Sequence, residues 1–273
     1  MNVLVLAPFS DDGIAQISRF GSVTHEDWRD TDVMWDPVEL GKRVAREGFE
    51  AVIVERDFLF DETFVAAPNL KVAGITRAGV NQIDVGSATT AGVIVINTPG
   101  RNANGVAELA IGLMFDVARR ITESDRYIRS GSWQSPTAPY IDLRGMELNG
   151  RTVGIIGCGN VGKDLVEILK PFNCQILVND IVDYAEFYHK HNILAVSKEE
   201  LLSNSDLVTL HVPLDDSTRG MIGAEELKLM KLDSVLINTA RGWLVDEAAL
   251  LKGLKNGKPG AAAFDVLAQE PPE

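Results

Sequence analysis

Short apolar runs, mostly β-branched, alternate with stretches of helical periodicity along the whole chain, and this alternation limits the possible folds more than any other feature. The first group of runs is Val3–Ala7, Ser22–His25, Ala51–Val54, Leu70–Ile75 and Val93–Ile96. Between them the spacing predicts helices over Gly13–Phe20, Pro37–Gly48, Asp61–Ala67 and Asp84–Ala91. Runs apolar on both faces, separated by helices, make a parallel sheet covered on both sides. Asn97-Thr98-Pro99-Gly100 interrupts the pattern with turn residues and is the expected domain junction. One long helix is expected next, over Asn104–Ser130, followed by a loop over Ser132–Asn149. The alternation then resumes with Thr152–Ile156, Gln175–Asn179, Ile193–Val196, Leu207–His211, Ser234–Asn238 and Gly260–Phe264. Ser197-Lys198-Glu199-Glu200 matches a capping box and predicts a helix start. Six strands with helical crossovers suffice for a doubly wound sheet ordered 3-2-1-4-5-6.

Composition narrows the function classes. A length of 273 residues favours two domains. A net charge of -13 disfavours a phosphate backbone or an anionic membrane surface as partner. No run approaches the roughly 20 apolar residues that span a bilayer. The apolar start lacks the basic flank and cleavage site of a signal peptide, so a cytoplasmic location is expected. Two cysteines, Cys158 and Cys174, cannot build a disulfide framework or a four-thiolate zinc site, and no metal is expected.

Gly157-Cys158-Gly159-Asn160-Val161-Gly162 directly follows the strand Thr152–Ile156 and opens a periodic helix. In such a loop the first glycine makes a tight turn and the second lets backbone approach a diphosphate. The third lets helix and strand pack closely. The free N–H groups and the helix dipole then face the anion. Asp180, eighteen residues after Gly162, ends the next strand. A carboxylate there accepts hydrogen bonds from ribose hydroxyls and repels a 2′-phosphate, so NAD is expected over NADP. Gly157, Gly159, Asn160, Val161, Gly162 and Asp180 are therefore candidate cofactor residues. Asp183 is a nearby rival, expected to be solvated. Cys158 is expected to serve packing.

Further segments bear a family resemblance. They are Asn97-Thr98-Pro99-Gly100 with Val106-Ala107-Glu108, His211-Val212-Pro213-Leu214, Ile237-Asn238-Thr239-Ala240-Arg241-Gly242 with Val245-Asp246-Glu247, and Gly260–Val266 with Gln269-Glu270-Pro271. With the glycine loop, and in this order, they resemble the D-isomer-specific 2-hydroxyacid dehydrogenases, a family that includes phosphoglycerate dehydrogenase. The resemblance runs from about Leu70 onward. It implies an α/β chain of two doubly wound parallel-sheet domains: a flavodoxin-like substrate domain over residues 1–98 and a Rossmann NAD-binding domain over residues 99–273.

It also implies an NAD-dependent oxidoreductase that moves a hydride between nicotinamide and a D-2-hydroxy or 2-keto acid, phosphoglycerate-like acids included, in a cleft between the domains. Arg241 would grip the substrate carboxylate, since a guanidinium fork suits that group. Glu270 would hydrogen-bond a catalytic histidine and favour the imidazolium. Arg77, Ala78, Gly79 and Val80 resemble the substrate loop, two residues shorter than usual and lacking its second glycine. His211, Val212, Pro213 and Thr218 would flank the adenosine half. Thr239 and Ala240 would present backbone to the cofactor, and Asp265 would orient the carboxamide.

The same resemblance places the catalytic histidine beyond Glu270, after one more strand, with a returning helix after it. His25, His189, His191 and His211 are not at that position. His189 and His191 are expected to face solvent. The expectation is a portion of a longer protein that turns over poorly alone. The other reading is an NAD(H)-binding interaction or regulatory protein of the same family with little turnover. A homodimer through the nucleotide-binding domain is expected, with a small 2-hydroxy or 2-keto acid as the other partner.

Overall fold

The computed structural model describes residues 1–272 and separates into two units, the first ending at Arg101 and the second starting at Asn102. The first unit holds a parallel sheet of β1 (Val3–Leu6), β2 (Val23–His25), β3 (Ala51–Val54), β4 (Val72–Ile75) and β5 (Ile94–Ile96), in the order β2-β1-β3-β4-β5. That is the flavodoxin-like order. Every residue of β1 is buried, as its Val-Leu-Val-Leu sequence requires of a central strand. Leu4, Leu6, Val52 and Val54 meet Leu40 and Val44 of the helix Pro37–Glu47. Asp36 caps that helix through Val38 and Glu39, Pro37 opens it, and Gly48 ends it in the left-handed region.

The expected junction after residue 98 lies inside this unit. Thr98 donates its backbone N–H to Arg77, and Arg101 pairs with Glu55 at 3.2 Å, so residues 98–101 are tied to the first sheet.

The second unit holds β6 (Thr152–Ile156), β7 (Gln175–Asn179), β8 (Leu194–Ala195), β9 (Leu207–Leu210), β10 (Val235–Asn238) and β11 (Ala261–Phe264). All pairings are parallel, in the order β11-β10-β9-β6-β7-β8. Counted within the unit this is 3-2-1-4-5-6, read from the other edge, the Rossmann arrangement. One face of the sheet packs Val153, Ile155 and Ile237 with Ala107, Met114 and Leu165; the other packs Ile156, Leu210 and Leu236 with Leu201 and Leu227. A fully buried leucine or isoleucine of this kind contributes roughly 1.5–3 kcal/mol.

The single long helix expected over Asn104–Ser130 is two helices, Ala103–Arg119 and Ile121–Arg129. Arg120 breaks it at φ 53°, in the left-handed region. The Asp116 carboxylate accepts the backbone N–H and hydroxyl of Thr122, both at 2.8 Å, which caps the second helix from inside the first. The expected loop 132–149 contains a short helix, Ala138–Asp142. The strand expected to reach His211 ends at Leu210. A short helix at Trp28–Thr31, capped by Asp27, had no periodic signal.

Candidate active site

Parallel strands point their carboxyl ends to one edge, where open α/β sheets bind ligands. In the second unit that edge carries every candidate cofactor residue. Gly157 adopts φ +94°, and a Cβ there would lie 2.6 Å from the His211 carbonyl oxygen and 2.8 Å from Val212. The turn is therefore closed against the segment after β9. A Cβ on Gly162 would meet the Gly157 carbonyl oxygen, so helix Asn160–Leu169 starts in backbone contact with the turn. Gly159 differs from both: a Cβ there would have nothing within 4 Å. No side chain caps this helix and no acid sits in its first turn. Asn160 and Val161 thus begin a helix whose leading N–H groups are open to an anion.

Asp180, just past β7, closes one side of the loop. Its Oδ2 accepts the Cys158 backbone N–H at 2.5 Å and its Oδ1 accepts that of Val182 at 2.8 Å. Asp183 is exposed. Cys158 is fully buried, and burial pushes its thiol up to about 11, which makes it packing rather than a nucleophile.

On the other side of β6, Thr218 shapes the segment after β9. Its hydroxyl donates to the Pro213 carbonyl at 2.7 Å and accepts the Asp215 N–H at 2.9 Å. The His211 ring sits 3.0 Å from the Thr209 hydroxyl, and desolvation lowers its pKa to about 4, so it stays neutral.

The turn after β10 is braced by Asn238. Its buried amide accepts the Ala240 N–H at 3.0 Å and donates to the Arg241 carbonyl at 2.9 Å. This fixes Thr239, Ala240 and Arg241. The Arg241 guanidinium is exposed and rests on the Ala240 carbonyl at 2.6 Å. A Cβ on Gly242 would fall 2.0 Å from the Leu267 carbonyl carbon, so the Arg241 turn lies backbone to backbone against residues 267–268. There the Leu267 N–H donates to Glu270 Oε1 at 2.9 Å, and the Ala268 N–H donates to Glu247 Oε1 at 2.7 Å. Asp265, one residue past β11, is exposed and donates its N–H to the Asn238 carbonyl at 3.0 Å. Arg241, Asp265 and Glu270 are thereby brought into one neighbourhood.

A dinucleotide fits these residues. Gly159 leaves an open backbone position, the leading N–H groups lack a cap, and the buried Thr239 hydroxyl has no partner among the described residues. An unpaired buried hydroxyl costs about 1–3 kcal/mol until a ligand group meets it.

In the first unit, Arg77, Ala78, Gly79 and Val80 follow β4. Thr98 N–H and Asn97 Nδ2 hold the carbonyls of Arg77 and Ala78 at 3.1 and 2.6 Å. Arg77 and Ala78 are exposed. The neighbouring Thr76 hydroxyl is buried without a partner among the described residues.

His191 does not face solvent as expected. Its side chain is 0 % exposed, stacks on Phe187 at 4.2 Å and places Nε2 3.3 Å from Glu167. Burial lowers its pKa. The polar residues around it had masked the apolar contact with Phe187, four residues earlier on the same helix. Asn238, Gly242 and Glu247 emerge as site-building residues. Their sequence signal was a dense motif without any assignable role.

The model of the domain "D-isomer specific 2-hydroxyacid dehydrogenase, NAD binding domain" matches residues 111–273. A glyoxylate reductase of Thermococcus litoralis is 37 % identical over 98 % of this chain and 81 % of its own length. A D-3-phosphoglycerate dehydrogenase of Archaeoglobus fulgidus is 36 % identical over the whole chain, which spans 50 % of that longer protein. Among solved structures, a glyoxylate reductase from Paecilomyes thermophila superposes with a TM-score of 0.83 at 28 % identity, over 100 % of this chain and 83 % of the other.

Proposed function

Because the chain belongs to the D-isomer-specific 2-hydroxyacid dehydrogenase family, we propose that it catalyses hydride transfer between NAD and a small 2-hydroxy or 2-keto acid. The observation that carries this reading is the backbone contact at Gly242, which holds the Arg241 turn against the segment bearing Glu270. When bound, the dinucleotide supplies or accepts the hydride. Arg241 grips the substrate carboxylate and polarises the carbonyl with its planar fork. Arg77, Ala78, Gly79 and Val80 serve as a substrate loop of the first unit, with the Arg77 side chain exposed. Asp265 orients the nicotinamide amide, and Asp180 holds the ribose and selects NAD over NADP. His211, Val212, Pro213 and Thr218 line the adenosine side.

Glu270 acts by favouring the charged form of a histidine. Of the four histidines present, His25 meets the Ala7 carbonyl at 3.0 Å, His191 and His211 are desolvated, and His189 is exposed on its helix, so none is assigned this role. These residues alone therefore turn over about 10²–10⁴-fold more slowly than a chain that also supplies that imidazole. Ile121, Ile128, Trp133, Tyr140 and Ile141 are exposed on the second unit and support a homodimer through it, to be read by light scattering. Two free thiols fit a reducing cytoplasm, and no helix among the described residues is long and apolar enough to cross a membrane.

The test is NADH oxidation with glyoxylate, pyruvate, hydroxypyruvate and its 3-phosphate, in this chain and in a version engineered to supply a catalytic histidine. We expect one of these acids to be reduced and the Arg241→Ala variant to lose about 100-fold or more in turnover while binding NADH normally. Equal turnover in the variant contradicts the role of Arg241. NADH binding with no reduction in a version containing the histidine replaces the enzyme reading with a regulatory one.

A further inference from the structure

Lys163 stands in the opening turn of helix Asn160–Leu169, directly after Gly162. Helix stability does not explain a cation there, because the dipole disfavours positive charge at a helix N-terminus. Nor does an ion pair: among the described residues Lys163 engages no carboxylate, in a chain with 39 acidic residues. Its ammonium instead lies 3.6 Å from the centroid of the Tyr184 ring and 5.6 Å from that of Phe187. Tyr184 ends the segment that begins at Asp180. The contact therefore joins the two pieces of chain that must cooperate in holding a dinucleotide.

Beside it, the Cys158 N–H bonds to Asp180 Oδ2 at 2.5 Å and the Gly157 N–H to the Asn179 carbonyl at 2.9 Å, and of these the first involves the carboxylate that a ribose would claim. That bond is vulnerable on ligand binding. A carboxylate that takes ribose hydroxyls must share or surrender the N–H it holds in the free protein. The Lys163–Tyr184 contact involves no group that a sugar or diphosphate would claim through Asp180. It can keep residues 180–184 in place while Asp180 changes partners. It also sets a positive charge beside a ligand that adds negative charge near Asp180 and Asp183.

We propose that Lys163 and Tyr184 form a positioning pair that holds the Asp180 segment against the glycine loop and so sets dinucleotide affinity. This rests on the reading of the loop as a dinucleotide site. The pair acts on binding and not on the hydride step.

The test is calorimetric titration of NADH into the wild-type chain and the Lys163→Met, Lys163→Arg, Tyr184→Leu and double Lys163→Met/Tyr184→Leu variants, with melting temperatures alongside. We expect Lys163→Met and Tyr184→Leu each to weaken NADH about fivefold, in line with a partly exposed cation–π pair. Lys163→Arg should bind like wild type, and the double variant no more weakly than the worse single one. Melting temperatures of the two Lys163 single variants should match wild type, whereas Tyr184→Leu also gives up its edge contact with Tyr188 and is compared at a temperature where it is fully folded. Undiminished affinity in Lys163→Met overturns the inference. So does a loss in Lys163→Met with none in Tyr184→Leu, or losses that multiply in the double variant. A wild-type chain that takes up no NADH removes the dinucleotide reading itself, whereas wild-type uptake with an indifferent Lys163→Met removes only the pair.

Discussion

The turns that follow the first strand of each sheet, β1 and β6, occupy the same topological position and have opposite chemistry. After β1, Ser10 caps the helix Asp11–Ile17 by accepting the Gly13 N–H at 3.1 Å, and Asp11 and Asp12 fill its first turn. That helix end satisfies itself and repels anions. After β6, no side chain caps the helix, no acid occupies its first turn, and Gly159 leaves open space. A parallel sheet therefore supplies a place for a ligand twice in this molecule, and local sequence decides which place is usable.

The contrast predicts separate consequences for binding and for folding. Gly159→Ala should weaken NADH by about 100-fold with an unchanged melting temperature, because the added Cβ meets ligand and has no protein atom within 4 Å. A variant that binds NADH normally would break the contrast at its main point.

The next effect distinguishes the units by pH. His211 is held neutral, with a folded pKa of about 4 against an ordinary 6.5, so the unfolded chain binds more protons. Its contribution is present above pH 6.5 and is lost as pH falls toward 4. His191 is lowered in the same direction and lies in the same unit. From pH 7 to 5 the second unit should lose about 2 kcal/mol from His211 alone, read by urea unfolding monitored by hydrogen exchange in each unit. Equal acid sensitivity in both units would contradict this.

Transplanting the acidic turn sharpens the comparison. Asn160→Asp, which copies the acid-led start of the first unit's helix, should weaken NADH about tenfold through repulsion of the diphosphate. Unchanged affinity, measured by titration, would mean that the N-terminal field is not used. The smallest effect belongs to the first unit. Ser10→Ala should cost about 1 kcal/mol of its stability and leave NADH affinity alone.

The sequence made some of this legible and hid the rest for physical reasons. β3, β6 and β7 match their expected limits because buried parallel strands read as unbroken apolar runs. The glycine loop and Asp180 were visible because backbone approach leaves a fixed spacing. The break at Arg120 was not, since it depends on Asp116 reaching a residue six positions later. The burial of His191 depends on Phe187 and Glu167, and the bracing of Arg241 on a buried amide. Gly242 gives no local sign that its missing side chain makes room for residues 267–268. Such features arise from contacts between elements, which periodicity and propensity do not record.

Parallel calorimetric titrations of NADH and NADPH into the wild-type chain test the central claim most directly. The account predicts saturable uptake of one NADH per chain, with NADPH at least about tenfold weaker because Asp180 opposes its extra phosphate. No uptake of either, or indistinguishable affinities for the two, would contradict it.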